Sequence, residues 1–167
     1  MDTNPVSSVR DKIIKYFRND VRRINHTLKV LSFAQIISEK LDLDSQTTEL
    51  IYYSALLHDI GIKEAERKYN SSSGKYQEIE GPKIAMKILS DLDIPVETID
   101  RVRFIVGNHH SYNKIHGIDF QILVEADFLV NIFEDDLDMN SIKKINKQIF
   151  KTEEGKKLLK TMYLNPD

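Results

Sequence analysis

The run Phe120-Gln-Ile-Leu-Val-Glu-Ala-Asp-Phe-Leu-Val-Asn-Ile-Phe133 constrains the fold more than any other part of this chain. Wound as a helix, it is apolar on most of its circumference, and such a helix is buried on all sides. It must therefore lie at the centre, with other helices packed around it. The flanking sequence supplies them. Ser7 or Ser8 is placed to cap a first amphipathic helix carrying Val9, Ile13, Ile14 and Phe17. Ile24, Leu28, Leu31 and Ile36 recur near helical spacing in a second helix, expected to end near Lys40-Leu41. Asp44 or Ser45 caps a third. Glu80 to Leu92 reads as a further helix, and Pro95 fits the first turn of one running towards Gly107. Asp138 to Ser141 interrupts the chain, and Thr152 opens a last helix that ends near Tyr163, ahead of Pro166. No alternating pattern is long enough for a sheet. An all-α, single-domain helical bundle over residues 1–167 is expected, with its core at about 20–135 and the terminal helices as extensions.

Composition excludes several classes of function. A net charge of -2 argues against a basic surface for nucleic acid. No apolar run is long enough to span a membrane. The opening Met1-Asp2-Thr3-Asn4-Pro5 has neither the basic nor the apolar region of an export signal, so the cytoplasm is the expected location. The chain has no cysteine, which excludes thiolate metal sites and cysteine nucleophiles.

Against this background a few polar residues stand out. Asp127 falls inside the apolar run, where a carboxylate needs a cationic or hydrogen-donating partner. His58-Asp59 follows Tyr53-Ser54-Ala55-Leu56-Leu57 and precedes the turn Ile60-Gly61. His26 lies beside the apolar stripe of the second helix, and His109-His110 follows the helix that runs to Gly107. Each has an ordinary structural explanation when taken singly. A histidine can be a hydrogen-bonded core residue, Asp127 can pair with an arginine, and the doublet can be a solvated helix end, where histidine is favourable. Together they ask for a common one, because four of the five histidines lie near carboxylates or buried helices.

The order His26, His58-Asp59, His109-His110, Asp127 on a helical chain resembles the HD-domain phosphohydrolase superfamily. The surrounding segments Ala55-Leu-Leu-His-Asp-Ile-Gly61 and Ile122-Leu-Val-Glu-Ala-Asp127 resemble its two most recognisable ones. The likeness covers roughly residues 20 to 135. It implies one divalent metal held by His26, His58, Asp59 and Asp127. Imidazole and carboxylate ligands suit Fe, Mn, Ni, Co or Zn. Relatives with two ions add a histidine at the start of the helix after the His-Asp pair, and a later doublet. This chain keeps the doublet but has Gln77 at the intermediate place, so Glu78 or Glu80 would have to supply the oxygen for a second ion, together with His109 and His110. Both glutamates also suit the first turn of a helix. Where several relatives carry a phosphate-contacting lysine directly after the glycine, Ile62 intervenes here before Lys63.

Residues 67–76 read as a loop by their Ser, Asn and Gly content. Arg67, Lys68 and Lys75 in it suggest a lid that grips phosphate, since such sites need cations against developing charge; an ordinary solvated connection is the other explanation. The function expected is a metal-dependent phosphohydrolase acting on a small phosphorylated metabolite or nucleotide, as a monomer or homodimer, without a membrane or stable nucleic-acid partner. Water oriented near Asp59 would attack phosphorus, with Lys63, Arg67 and Lys75 on the substrate oxygens and His109 or His110 passing a proton to the leaving group. A regulatory module that senses a nucleotide without turnover, a structural helical adaptor, and a nuclease are the competing readings.

Overall fold

The computed structural model describes residues 4–165. Helices account for most of them, and no strand occurs among the described residues. The first helix, α1 (Pro5–Phe17), starts earlier than Ser7 or Ser8, because the Asn4 side chain accepts the Val6 N–H and Pro5 fits the first turn. α2 (Val21–Ser38) carries His26 and stops short of Lys40. α3 (Ser45–Leu57) is capped by Asp44, whose side chain accepts the Thr47 N–H at 2.8 Å.

α4 (Ile62–Tyr69) and α5 (Gly74–Ser90) replace most of the expected loop, which shrinks to residues 70–73. The helix expected from Glu80 to Leu92 starts earlier, at Gly74, and ends at Ser90. In the structure Pro82 lies within the helix. α6 (Val96–Val106) follows Pro95 as expected. α7 (Ile118–Glu134) is the central helix. It packs on α2 and α3, and its buried face includes Phe120, Ile122, Leu123, Ala126 and Leu129. α9 (Glu153–Leu159), capped by Thr152, packs on it, and α8 (Met139–Gln148), capped by Asp138, meets the final turn Lys160–Leu164. Pro166 lies outside the described residues.

Two features of this packing set the site. α2, α3 and α7 meet one another, so residues distant in sequence share one end of the bundle. The turn after α3 also presses directly on α5. A Cβ at Gly61 would lie 2.5 Å from the Gln77 carbonyl oxygen and 2.6 Å from the Gly81 nitrogen. Only glycine allows main chain to meet main chain there. No helix among the described residues is long and apolar enough to cross a membrane.

Candidate metal centre

His26 projects from α2, His58 and Asp59 from the end of α3 and its turn, and Asp127 from α7. Their polar atoms converge. His26 Nε2 lies 3.2 Å from His58 Nε2 and 3.2 Å from Asp127 Oδ1. His58 Nε2 is 3.4 Å from the same oxygen. Asp59 Oδ2 is 3.4 Å from both imidazole nitrogens. His58 is fully buried and His26 nearly so.

The other ring nitrogens decide what meets at the centre. His58 Nδ1 lies 2.8 Å from the Ala55 carbonyl, which can only accept, so Nδ1 carries the proton. His26 Nδ1 donates to Glu134 Oε2 at 2.9 Å. In the neutral imidazoles both Nε2 atoms are then bare lone pairs, facing each other and two carboxylates. Asp127 Oδ1 is buried and accepts no well-aligned hydrogen bond. Four electron-rich atoms in one place require a positive charge between them.

Protons can supply it. Burial opposes the charged imidazoles, yet Asp59 and Asp127 overcome it and hold His58 well above its ordinary value. His26 is raised too, with burial again outweighed, chiefly by Asp127. Both aspartates, despite the opposing effect of burial, are held below the ordinary carboxylate range, by His58 foremost. A metal ion meets the same demand better. Ligand atoms about 2.1 Å from a shared ion lie about 3.0 to 3.4 Å from one another, which matches the observed separations. The residues present therefore fit a divalent metal, and His26, His58 and Asp59 are a group able to hold one.

Asp59, His109 and His110 form a second such group. His109 Nδ1 donates to the Val106 carbonyl at 2.9 Å, which turns Nε2 to Asp59 Oδ1 at 3.3 Å. Asp59 thus offers one oxygen to each group. Burial and the neighbouring His109 push His110 down to about 4, so its ring is uncharged near neutrality. Gln77 donates its amide N–H to the Ser72 carbonyl and presents Oε1 to His110 Nε2 at 3.5 Å.

The glutamates expected to assist a second ion are engaged elsewhere. Glu78 accepts the His110 backbone N–H at 3.0 Å and the Ser111 hydroxyl at 3.1 Å, and so fixes the doublet from outside. Glu80 takes Lys68 and Tyr69, tying α4 to α5. Neither lines the cavity of about 460 Å³ that opens beside the cluster.

The expected phosphate-gripping cations are also absent from that cavity. Lys63 donates to the Tyr16 carbonyl and lies over the Tyr16 ring. Arg67 pairs with Glu64 one turn away, and Lys75 lies over Tyr76. Nearness in sequence put them near the site, but the helical phase of α4 and α5 turns them outwards. Arg22 and Arg23, from the first turn of α2, line the cavity instead. Glu134 was likewise not foreseen. It orients His26 from the far end of α7 and also accepts Lys29 at 3.2 Å.

The family model of the HD domain matches residues 23–151. No curated protein matches the chain. Among solved structures, it is similar to a predicted HD superfamily hydrolase from an uncultured Thermotogales bacterium. The TM-score is 0.65 at 22% identity, over 96% of this chain and 83% of that one. By the reach of the matched family model, and with the metal-fitting cluster inside it, the chain belongs to the HD-domain family.

Proposed function

We propose that the chain is a metal-dependent phosphohydrolase acting on a small phosphorylated metabolite or nucleotide. The observation that carries this reading is the convergence of the His26, His58, Asp59 and Asp127 donor atoms beside a polar cavity with arginine in its wall. A divalent transition metal held by those four residues would polarise a phosphoryl oxygen and acidify water at the site. The chain's own groups do the rest. Asp59 lies between the two donor groups and orients the attacking water. Arg22 and Arg23 face the substrate's negative charge, in the place expected of Lys63, Arg67 and Lys75. One of the doublet, His109 or His110, passes a proton to the leaving group; His110 lines the cavity, and His109 Nε2 faces Asp59 Oδ1.

Elemental analysis of the purified protein beside His58→Ala and Asp127→Ala tests the reading. A transition metal in the wild type and its loss from both variants is the expected result. Its ratio to protein counts the ions, one for the first donor group alone and two if Asp59 bridges to His109 and His110. Full metal content and phosphatase activity in both variants would overturn the proposal.

A further inference from the structure

The wall of the cavity carries information about the substrate that the donor cluster does not. Among the described residues that line it, Ile62 is the single aliphatic side chain and there is no phenylalanine, tyrosine or tryptophan. Its rings are the imidazoles of His26 and His110. His26 is committed to Glu134 and to the donor cluster, and His110 packs on His109 with ring centroids 4.0 Å apart. Sites for heteroaromatic ligands are lined mainly by apolar and aromatic side chains, and proteins that take in a nucleobase stack it between such groups. This wall offers a base no phenyl, phenol or indole face to stack on. A base placed there would lose water to face carboxylates and amides.

The same wall suits hydroxyl groups. Ser72, Asn131 and Asp135 line it with side-chain donors and acceptors that have no other partner among the described residues, and a hydroxyl both donates and accepts. The two arginines differ in what they already hold. Arg23 is tied to Asp20 at 2.7 Å and to Glu66. Arg22 lines the cavity with no ion-pair or hydrogen-bond partner for its guanidinium among the described residues. An arginine without a carboxylate partner, facing a pocket, is suited to bidentate recognition of phosphate.

We infer that the site takes a phosphomonoester of a small polyhydroxylated molecule without a nucleobase, a sugar or polyol phosphate, and that Arg22 binds its phosphate. This rests on the hydrolase reading and narrows it. In the reaction, water oxygen bonds to phosphorus as the ester P–O bond breaks. A proton passes to the departing alkoxide, and the products are inorganic phosphate and the free polyol.

The test uses the full-length protein reconstituted separately with Mn, Co and Ni. Phosphate release is compared across pentose, hexose and glycerol phosphates and the nucleoside 5′-monophosphates. The expected result is a kcat/KM preference of at least roughly tenfold for the sugar or polyol esters. Arg22→Gln should raise KM and lower kcat/KM at least about tenfold, and weaken inorganic phosphate binding in calorimetry by a similar factor. Better turnover of nucleotides would overturn the substrate class while leaving the hydrolase reading intact. Unchanged KM and phosphate binding in Arg22→Gln would overturn the role of Arg22. No turnover of any ester with any of the metals would bring down the hydrolase reading, and this inference with it.

Discussion

Two acids on α7, the fully buried Glu125 and the partly buried Asp127, are separated by a single residue and face opposite tasks. Glu125 is fully buried and its oxygens are answered on every side. The Lys151 and Thr152 N–H groups, the Thr152 hydroxyl and the Gln121 amide all donate to it. It fastens the start of α9 to the central helix so closely that Gly155 has no room for a side chain, since a Cβ there would collide with Glu125 Oε2. Asp127 keeps one buried oxygen without a donor and turns it towards two histidines and Asp59. The same chemical group in the same helix is thus a fastener where its hydrogen bonds are complete. Where they are left open, it faces the donor atoms of His26 and His58.

Substitution at each position should separate the two roles. Asp127→Ala should abolish stoichiometric metal and lower activity by about 10³-fold or more, while circular dichroism still reports a folded helical protein. Glu125→Ala should leave metal per folded molecule unchanged and destabilise the protein by about 3 kcal/mol in denaturant unfolding, because several buried donors lose their acceptor together. A loss of metal in Glu125→Ala with no loss of stability would break the contrast.

Smaller changes sharpen it. Glu134→Gln keeps the shape but weakens the group that holds His26 in its ligating orientation, and metal affinity should fall about 10- to 100-fold in a chelator competition. Metal must displace the protons that Asp59 and Asp127 favour on His26 and His58. Its apparent affinity should therefore fall as pH is lowered through the neutral range, by about tenfold per unit for each proton displaced. The smallest effect is expected at Asp44, whose replacement by alanine removes the cap of α3. That should lower the denaturant midpoint slightly without altering metal content.

What could be read from sequence follows from where conflict is visible. Asp127 and His58-Asp59 interrupt apolar helices, so the cost of burying them shows in a single line of residues. The central place of α7 shows for the same reason. Glu125 lies in the same run and drew no such reading, because its partners at Lys151 and Thr152 arrive from a distant turn. Glu134 and Arg22 sit at helix ends among polar neighbours, where nothing local marks them. Glu134 meets His26 across 108 positions of sequence. Lys63, Arg67 and Lys75 show the converse, being close to the site along the chain while their side chains meet Tyr16, Glu64 and Tyr76. Glu78 and Glu80 were placed by the type of their side chain, whereas the packing of α5 gave their oxygens to His110, Ser111, Lys68 and Tyr69.

The contact between Gly61 and the backbone of α5 has an evolutionary consequence. It seats the His-Asp turn on main chain, which substitutions elsewhere do not reshape. Part of the cavity wall comes from other places, at positions 20, 22, 72, 131 and 135, none of which belongs to the donor cluster or touches Gly61. A lineage can rewrite those positions one residue at a time while the donor cluster stays in register.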